Sequence, residues 1–377
     1  MFINYTPFPG ISFDNFDVKR MLNTTTVVRG KFKFHSTEKT GEWELRPDPD
    51  QGELFDEDMY YDDDLTQSVQ FESDFAPFKP KTDVIFNGYA YAPNNQAQQQ
   101  WQCGIKVEQG ENSLLAKVLN VTGKREWEKV PAMGWRLSKP QPAFKVLLRS
   151  SNAYGGNYEE DAPDKPDEKK WKNRYSENPA GCGFLHKKDK TKIQKAPQIE
   201  YLDDPINSTH DNHKPAGFGW VFRHSTSRLK KAGSYDDKWL ENDHPFYPKD
   251  FKDTHYQGAP EDQQIEGYLK GNEKISLVYL LPNNRMHSFT LPDYKLLFQY
   301  RIKDGEDLLG EMNLDTVVID TESKDSNDWR VYITWRARTP AQANSSKTEA
   351  MMIVPDFHKA ESESEDDREI ARGVSHG

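Results

Sequence analysis

The chain has 377 residues, 61 acidic against 50 basic, for a net charge of −11. That balance counts against a sequence-independent phosphate binder, which needs a basic face, so no nucleic-acid partner is expected. Only 35% of residues are apolar while 12% are aromatic, so the core must lean on Phe, Tyr and Trp, each of which buries a large area, and β structure with long polar loops fits better than a helical bundle.

Cys103 and Cys182 lie far apart, with no CxxC and no thiol cluster. They read as reduced, buried thiols, not as a zinc ribbon or a disulfide framework. The opening Met1-Phe2-Ile3-Asn4-Tyr5-Thr6-Pro7 has no basic or apolar leader character, and no apolar run approaches the ~20 residues that span a bilayer. A cytoplasmic protein without membrane contact is expected.

In chain order, Thr24 to His35 alternates apolar and polar residues, which predicts a half-buried strand. Glu42 to Leu45 reads as its hairpin partner. Asp56 to Asp64 is acidic and reads as a loop. Val84 to Ala92 predicts one strand ending at Pro93. Gln98 to Glu108 and Leu114 to Val121 alternate around a turn at Gly110-Glu111-Asn112. Ala143 to Arg149 is a further strand. From Asn157 to His213, Glu, Asp, Lys, Pro and Asn dominate; a connection that long is usually functional or mobile. Strand signals return at Lys274 to Leu281, followed by a turn at Pro282 to Arg285, and at Tyr294 to Ile302. Leu314 to Asp320 and Trp329 to Arg338 read as an antiparallel pair, and Met351 to Val354 as a last strand. Short helices fit only at Tyr235 to Asn242 or Gly258 to Leu269. The pattern predicts a mainly β fold, an antiparallel β-sandwich-like architecture with long irregular loops and few short helices. It suits one large β-rich domain over 1–358, or two β subdomains at about 1–150 and 215–358 joined by the loop region 151–214. An acidic, disordered tail at 359–377 completes either arrangement.

No constellation for chemistry stands out. His210-Asp211-Asn212-His213 has a metal-like spacing, but zinc needs further ligands on rigid structure. Asp62-Asp63-Asp64 and Asp366-Asp367 do not follow the EF-hand ligand order. There is no G-x-S-x-G elbow and no H-E-x-x-H. Cys182, between Gly181 and Gly183, would need a neighbouring base to act as a nucleophile. Gly217-Phe218-Gly219 lacks the third glycine and the strand–helix context of a nucleotide site. Asp236, Asp250 and Asp262 read first as turn formers and second as a glycosidase-like pair. No catalytic residue, cofactor or metal is expected.

The most distinctive segment runs from Lys214 to Pro260, dense in Gly, Pro and aromatic residues. Disordered segments are depleted in aromatics, so this one reads as an ordered, irregular surface on a β scaffold, where recognition usually sits. Several motifs fall in a fixed order: Ser73-Asp74-Phe75-Ala76-Pro77-Phe78-Lys79-Pro80-Lys81-Thr82-Asp83, Gly88-Tyr89-Ala90-Tyr91-Ala92-Pro93, Tyr154-Gly155-Gly156, Asn178-Pro179-Ala180-Gly181-Cys182-Gly183 and Pro215-Ala216-Gly217-Phe218-Gly219. Ala232-Gly233-Ser234-Tyr235-Asp236 with Trp239-Leu240, Pro248-Lys249-Asp250-Phe251, Ala259-Pro260-Glu261-Asp262-Gln263, and Leu314 to Asp320 with Val331 to Arg336 complete the series. This series resembles a bacterial family catalogued as a domain of unknown function, whose members are encoded in type VI secretion clusters near VgrG spike and PAAR-repeat tip genes. The resemblance spans roughly Thr24 to Arg338. It implies a non-enzymatic adaptor, or chaperone, that loads an effector toxin onto the VgrG–PAAR spike, and it carries over no established functional residues.

The residues themselves suggest a partner-binding face, because Tyr, Trp and Arg dominate binding hot spots. Tyr154, Asn178, Phe218, Trp220, Tyr235, Trp239, Phe246, Tyr247 and Phe251 are its candidate members; filling the core of the loops is the alternative role for each. The competing functional reading is a carboxylate-based hydrolase or carbohydrate-active β-sandwich. A third is a structural protein that self-associates through edge strands.

Overall fold

The computed structural model describes residues 1–353 except 65, 161–170, 187–191, 211, 303–305 and 342–344. The acidic tail, Val354, and the parts of the Lys-rich segment at 165–170 and 187–191 lie outside the described residues. The fold is mainly β, with two short α-helices among the described residues, Thr226–Leu229 and Asp237–Asn242. The second falls where the sequence suggested it, because Asp236 caps it by accepting the Trp239 N–H at 2.9 Å. The alternative position, Gly258 to Leu269, holds only a 3-10 turn at Glu261–Gln263.

One large curled sheet organises the molecule. Its strands run in the order Ile199–Tyr201, Asn112–Thr122, Gln100–Gln109, Lys274–Val278, Met286–Thr290, Glu42–Pro47, Leu22–Ser36, Arg330–Pro340, Asn313–Asp320, Thr82–Asn87 and Gln264–Ile265. Gly10–Phe16 also pairs with Leu22–Ser36. Most neighbours are antiparallel, but Thr82–Asn87 runs parallel to Asn313–Asp320, and Met286–Thr290 parallel to Glu42–Pro47. Strands from early and late in the chain therefore alternate within one sheet.

A second sheet, Phe2–Asn4, Ser345–Ile353, Lys295–Ile302 and Leu308–Glu311, packs on one face. Leu296, Phe298, Tyr300 and Ala350 from it share a core with Val28, Phe32, Trp335 and Ala337 of the large sheet. Phe8 stacks on Trp335 there, ring centroids 5.9 Å apart. This is the sandwich that the strand pattern predicted.

Over the strands Arg330–Pro340, Asn313–Asp320 and Thr82–Asn87 the opposite face of the large sheet is not open to water. Ile85, Val318 and Tyr332 carry a second apolar layer against Phe55 and Trp220 from the loops and Val69 and Phe71 from a short strand, Val69–Phe71. Double coverage explains the unbroken runs Val84-Ile85-Phe86 and Val317-Val318-Ile319, since strands buried on both sides lose alternation. It also corrects the expectation for Thr24 to His35: from Asn23 to Gly30 this strand is buried on both faces.

Two further expectations change. The single strand Val84 to Ala92 is broken at Gly88, where a Cβ would lie 2.4 Å from Thr321 Oγ1; Tyr89–Tyr91 leaves the large sheet and pairs with Lys145–Leu147. The long loop after Asn157 is stitched by short strands. Tyr154–Gly155 pairs with Cys182–Gly183, Asn157–Glu160 with Trp171–Arg174, and Ile193–Lys195 with Glu126–Val130. A satellite core of Trp127, Tyr154, Leu185, Ala196 and Ile206 lies beneath. Among the described residues no helix is long and apolar enough to cross a membrane.

Candidate partner-binding site

The loop layer is bolted to the sheet by buried charge. Arg29 donates to Asp74 Oδ2 at 2.7 Å, and the same oxygen accepts the Phe55 N–H at 2.8 Å. Arg336 donates to Asp315 Oδ2 at 2.6 Å and also to the carbonyls of Asp74 and Ala76. Lys79 reaches Asp83 Oδ2 and Thr316 Oγ1, while Gln257 Nε2 and the Gly258 N–H donate to the two Asp83 oxygens. Lys117 binds Gly217 O, Asp262 Oδ1 and Gln263 Oε1 at 2.7 to 2.8 Å. Gln263 Nε2 in turn donates to Val84 O and Phe218 O. Segments near 75, 80, 217 and 260 are thus fixed to strands far away in sequence. An irregular backbone held this way gives little ordering entropy away on binding.

Between these segments lies a cavity of about 220 Å³. Val69, Leu148, Ala216, Trp220, Phe222 and Ala259 form much of its apolar wall. Its basic groups are already engaged. Arg149 forms a bidentate ion pair with Glu322 and lies 3.6 Å over the Tyr61 ring. Arg228 is paired with the buried Glu72; burial pushes that carboxyl up, but Arg228 and Arg223 outweigh it and hold it below its ordinary range. Lys231 bonds Glu261 at 2.9 Å, and this hydrogen bond lowers the Glu261 pKa.

The structure separates the candidate residues into three groups. Asn178 and Trp220 line the cavity. Asn178 Nδ2 donates to Ser150 O and Tyr154 O, and Trp220 Nε1 to Gln70 O. Tyr154 and Phe218 are 0% exposed, the first in the satellite core and the second in the main core. Phe251 is buried as well, stacked on Tyr247 at 4.3 Å. For these three, filling the core is what the geometry assigns, and their rings offer no surface to a partner. Tyr235, Trp239, Phe246 and Tyr247 lie outside the cavity, on or just under the surface.

Those four adjoin residues that the sequence did not single out. Tyr235 packs edge-on to Trp239 at 4.8 Å, and Trp239 Nε1 donates to Phe246 O. Phe246 meets Phe16 edge-on at 4.9 Å, with the Arg20 guanidinium 5.3 Å from its ring. Arg20 is anchored by Asp243, and Leu22 stands opposite Phe16 in the strand pair. Phe16 is 43%, Tyr235 55% and Leu240 59% exposed, with Met21 and Leu22 beside them. The alternation of Ile11 and Phe13 was the one local signal for the strand Gly10–Phe16 that brings Phe16 here. Its meeting with Phe246 had no sequence signal.

Among the described residues no group of three or more His, Cys, Asp or Glu could hold a metal. His213 Nδ1 is 2.7 Å from Asp204 Oδ1 and sits edge-on to Tyr154. Burial pushes the Cys182 thiol up to about 11, away from thiolate chemistry. Asp250 is turned to Ser234, accepting its N–H and hydroxyl, as a turn former does.

The fold and site together define a β-rich protein whose sheet carries a rigid layer of loops, with a small cavity and an exposed aromatic patch. The chain belongs to the family DUF2169, described as an uncharacterized protein conserved in bacteria, whose model matches residues 20–336. That span takes in most of the large sheet and the whole cavity wall. No curated protein and no solved structure matches the chain.

Proposed function

We propose that this protein is a non-enzymatic adaptor, or chaperone, that binds a type VI secretion effector and helps load it onto the VgrG–PAAR spike. The observation that carries the binding half is an exposed patch in which Phe16, with Leu22 opposite, meets Phe246 and Arg20, and Phe246 joins Trp239 with the exposed Tyr235 and, next along the helix, Leu240. Contiguous exposed apolar surface marks interaction sites, and the aromatic and Arg content is that of binding hot spots. The secretion half rests on the ordered motif series from Ser73 to Arg336. A carboxylate hydrolase needs two carboxyl groups facing one reacting bond. The two that line the cavity, Glu177 and Glu261, are taken up by the Ser227 N–H and by Lys231, which favours the adaptor over that alternative.

The test is a pull-down of the tagged full chain from its native cells, read by mass spectrometry. Co-recovery of a VgrG or PAAR protein with a toxin-like polypeptide is expected. Leu240→Asp should lower that recovery about tenfold while leaving the melting temperature unchanged. A folded, well-expressed protein that recovers none of these partners would end the adaptor reading.

A further inference from the structure

Gly217 and Gly219 stand in the cavity wall, yet the chain itself requires glycine at neither. Neither has a left-handed φ. A Cβ on Gly217 would come no nearer than 4.0 Å to anything beyond its chain neighbours, and one on Gly219 would meet only Asn87 Oδ1, at 3.7 Å. Other glycines of the loop layer are bare because the chain crowds them. At Gly258 a Cβ would lie 2.4 Å from the Trp220 ring, and at Gly155 2.1 Å from Asn178 O. Beside Gly217 and Gly219 the space is open, so something outside the chain can approach at backbone distance.

The polar groups at that wall are left over as a matched pair. Phe218 C=O accepts the Phe86 N–H at 3.0 Å and Gln263 Nε2 at 2.9 Å. This fixes the peptide plane and turns the Gly219 N–H, on its opposite side, away from the sheet. Among the described residues that N–H meets no acceptor. Asn87 is 4% exposed and lines the cavity. Its Nδ2 donates to Gln70 O at 2.9 Å, which sets the orientation of the amide and leaves Oδ1 without a donor among the described residues. Unlike Asn178 Oδ1, which is sealed without a partner, Asn87 Oδ1 reaches the open space of the cavity. One free donor beside one free acceptor is the complement of main-chain peptide groups, which carry both a C=O and an N–H.

The rest of the wall narrows the ligand. Arg149, Arg228 and Lys231 are paired within the chain, while the carboxylate Glu177 meets only the Ser227 N–H, so no free cation is left among them to select an acidic group. Val69, Leu148 and Trp220 offer apolar surface. The volume of about 220 Å³ lies below the roughly 300–1,000 Å³ of sites for drug-sized molecules; it suits one apolar side chain with its main chain.

We propose that this cavity anchors an extended segment of a partner polypeptide, held through its main chain by the Gly219 N–H and Asn87 Oδ1, with one apolar side chain seated against Trp220 and Leu148. The proposal deepens the adaptor reading and rests on it for the partner being a polypeptide. The test titrates acetyl-Gly-Leu-Gly-amide and acetyl-Gly-Glu-Gly-amide into the full chain, followed by saturation-transfer NMR and calorimetry. The leucine peptide should saturate, and the glutamate peptide should bind about tenfold or more weakly. Gly219→Val should weaken the leucine peptide about tenfold, and Gly219→Ala, which fits the open space, about threefold at unchanged melting temperature. No saturable binding, equal binding of the two peptides, or full binding to folded Gly219→Ala and Gly219→Val would overturn the proposal. The pull-down separates the two ideas. Partners retained by Gly219→Val would sink the anchoring cavity and leave the adaptor standing; peptide binding with an empty wild-type pull-down would do the reverse.

Discussion

Arg336 illustrates how single residues hold this protein together. It is 3% exposed, donates to Asp315 Oδ2 at 2.6 Å, and donates to the carbonyls of Asp74 and Ala76. Removing one partner of a buried pair leaves the other charge uncompensated, which costs about 3–5 kcal/mol. Arg336→Met should therefore lose about that much in urea unfolding, and Asp315→Asn in the same chain should restore part of it. Asp320 presents the opposite case. Burial raises its carboxyl to about 6, so between pH 4 and 6 the native state holds a proton that the unfolded chain has released. Its contribution to stability is therefore present in acid and is lost as pH rises through 6. Asp320→Asn should stabilise the protein at pH 7 by about 1–2 kcal/mol, less than the whole rise of the carboxyl would give, because the side chain keeps some solvent contact. The gain should shrink towards pH 4, and an equal gain at both pH values would contradict this account.

At the scale of elements, short pairings do the work of long ones. Tyr154–Gly155 and Cys182–Gly183 pair over two residues, yet they close the segment from 156 to 181 and place Asn178 in the cavity wall. Gly155 is the close approach that permits it. Its φ is +149°, and a Cβ would lie 2.1 Å from Asn178 O. Gly155→Ala should cost about 2 kcal/mol or more and should speed limited proteolysis between 156 and 199, while the hairpin Gln100–Gln109 and Asn112–Thr122 stays protected. Uniform protection across both regions would show that the pairing is dispensable. Gly88 plays a similar part: it ends the strand just after Asn87, the last residue paired with Asp320, at the cavity wall.

At the scale of the whole molecule, the large sheet is sandwiched by a second sheet on one face and by loops on the other. Its two end strands, Ile199–Tyr201 and Gln264–Ile265, are three and two residues long. Short end strands are poor templates for pairing with another copy. Light scattering at micromolar concentration should therefore find a monomer. A dimer that Leu240→Asp converts to monomer would assign the aromatic patch to self-association in place of an effector.

The sequence by itself determined the β class, the central strands and their hairpins. Apolar alternation and turn residues are local, so Gln100–Gln109 with Asn112–Thr122 and Asn313–Asp320 with Arg330–Pro340 were legible without any contact between them. It also marked Lys214 to Pro260 as ordered, irregular structure, from composition alone. The tertiary structure decided which aromatics face water. Tyr154, Phe218 and Phe251 look like Tyr235 and Trp239 in sequence, but burial depends on what lands above each ring. It also decided the parallel joints, the double coverage of Leu22–Ser36, and the cavity, whose wall draws on Val69, Asn87, Leu148, Asn178, Gly219 and Ala259. Those residues span nearly two hundred positions, and only the folded sheet, with its buried ion pairs, brings them within reach of one ligand.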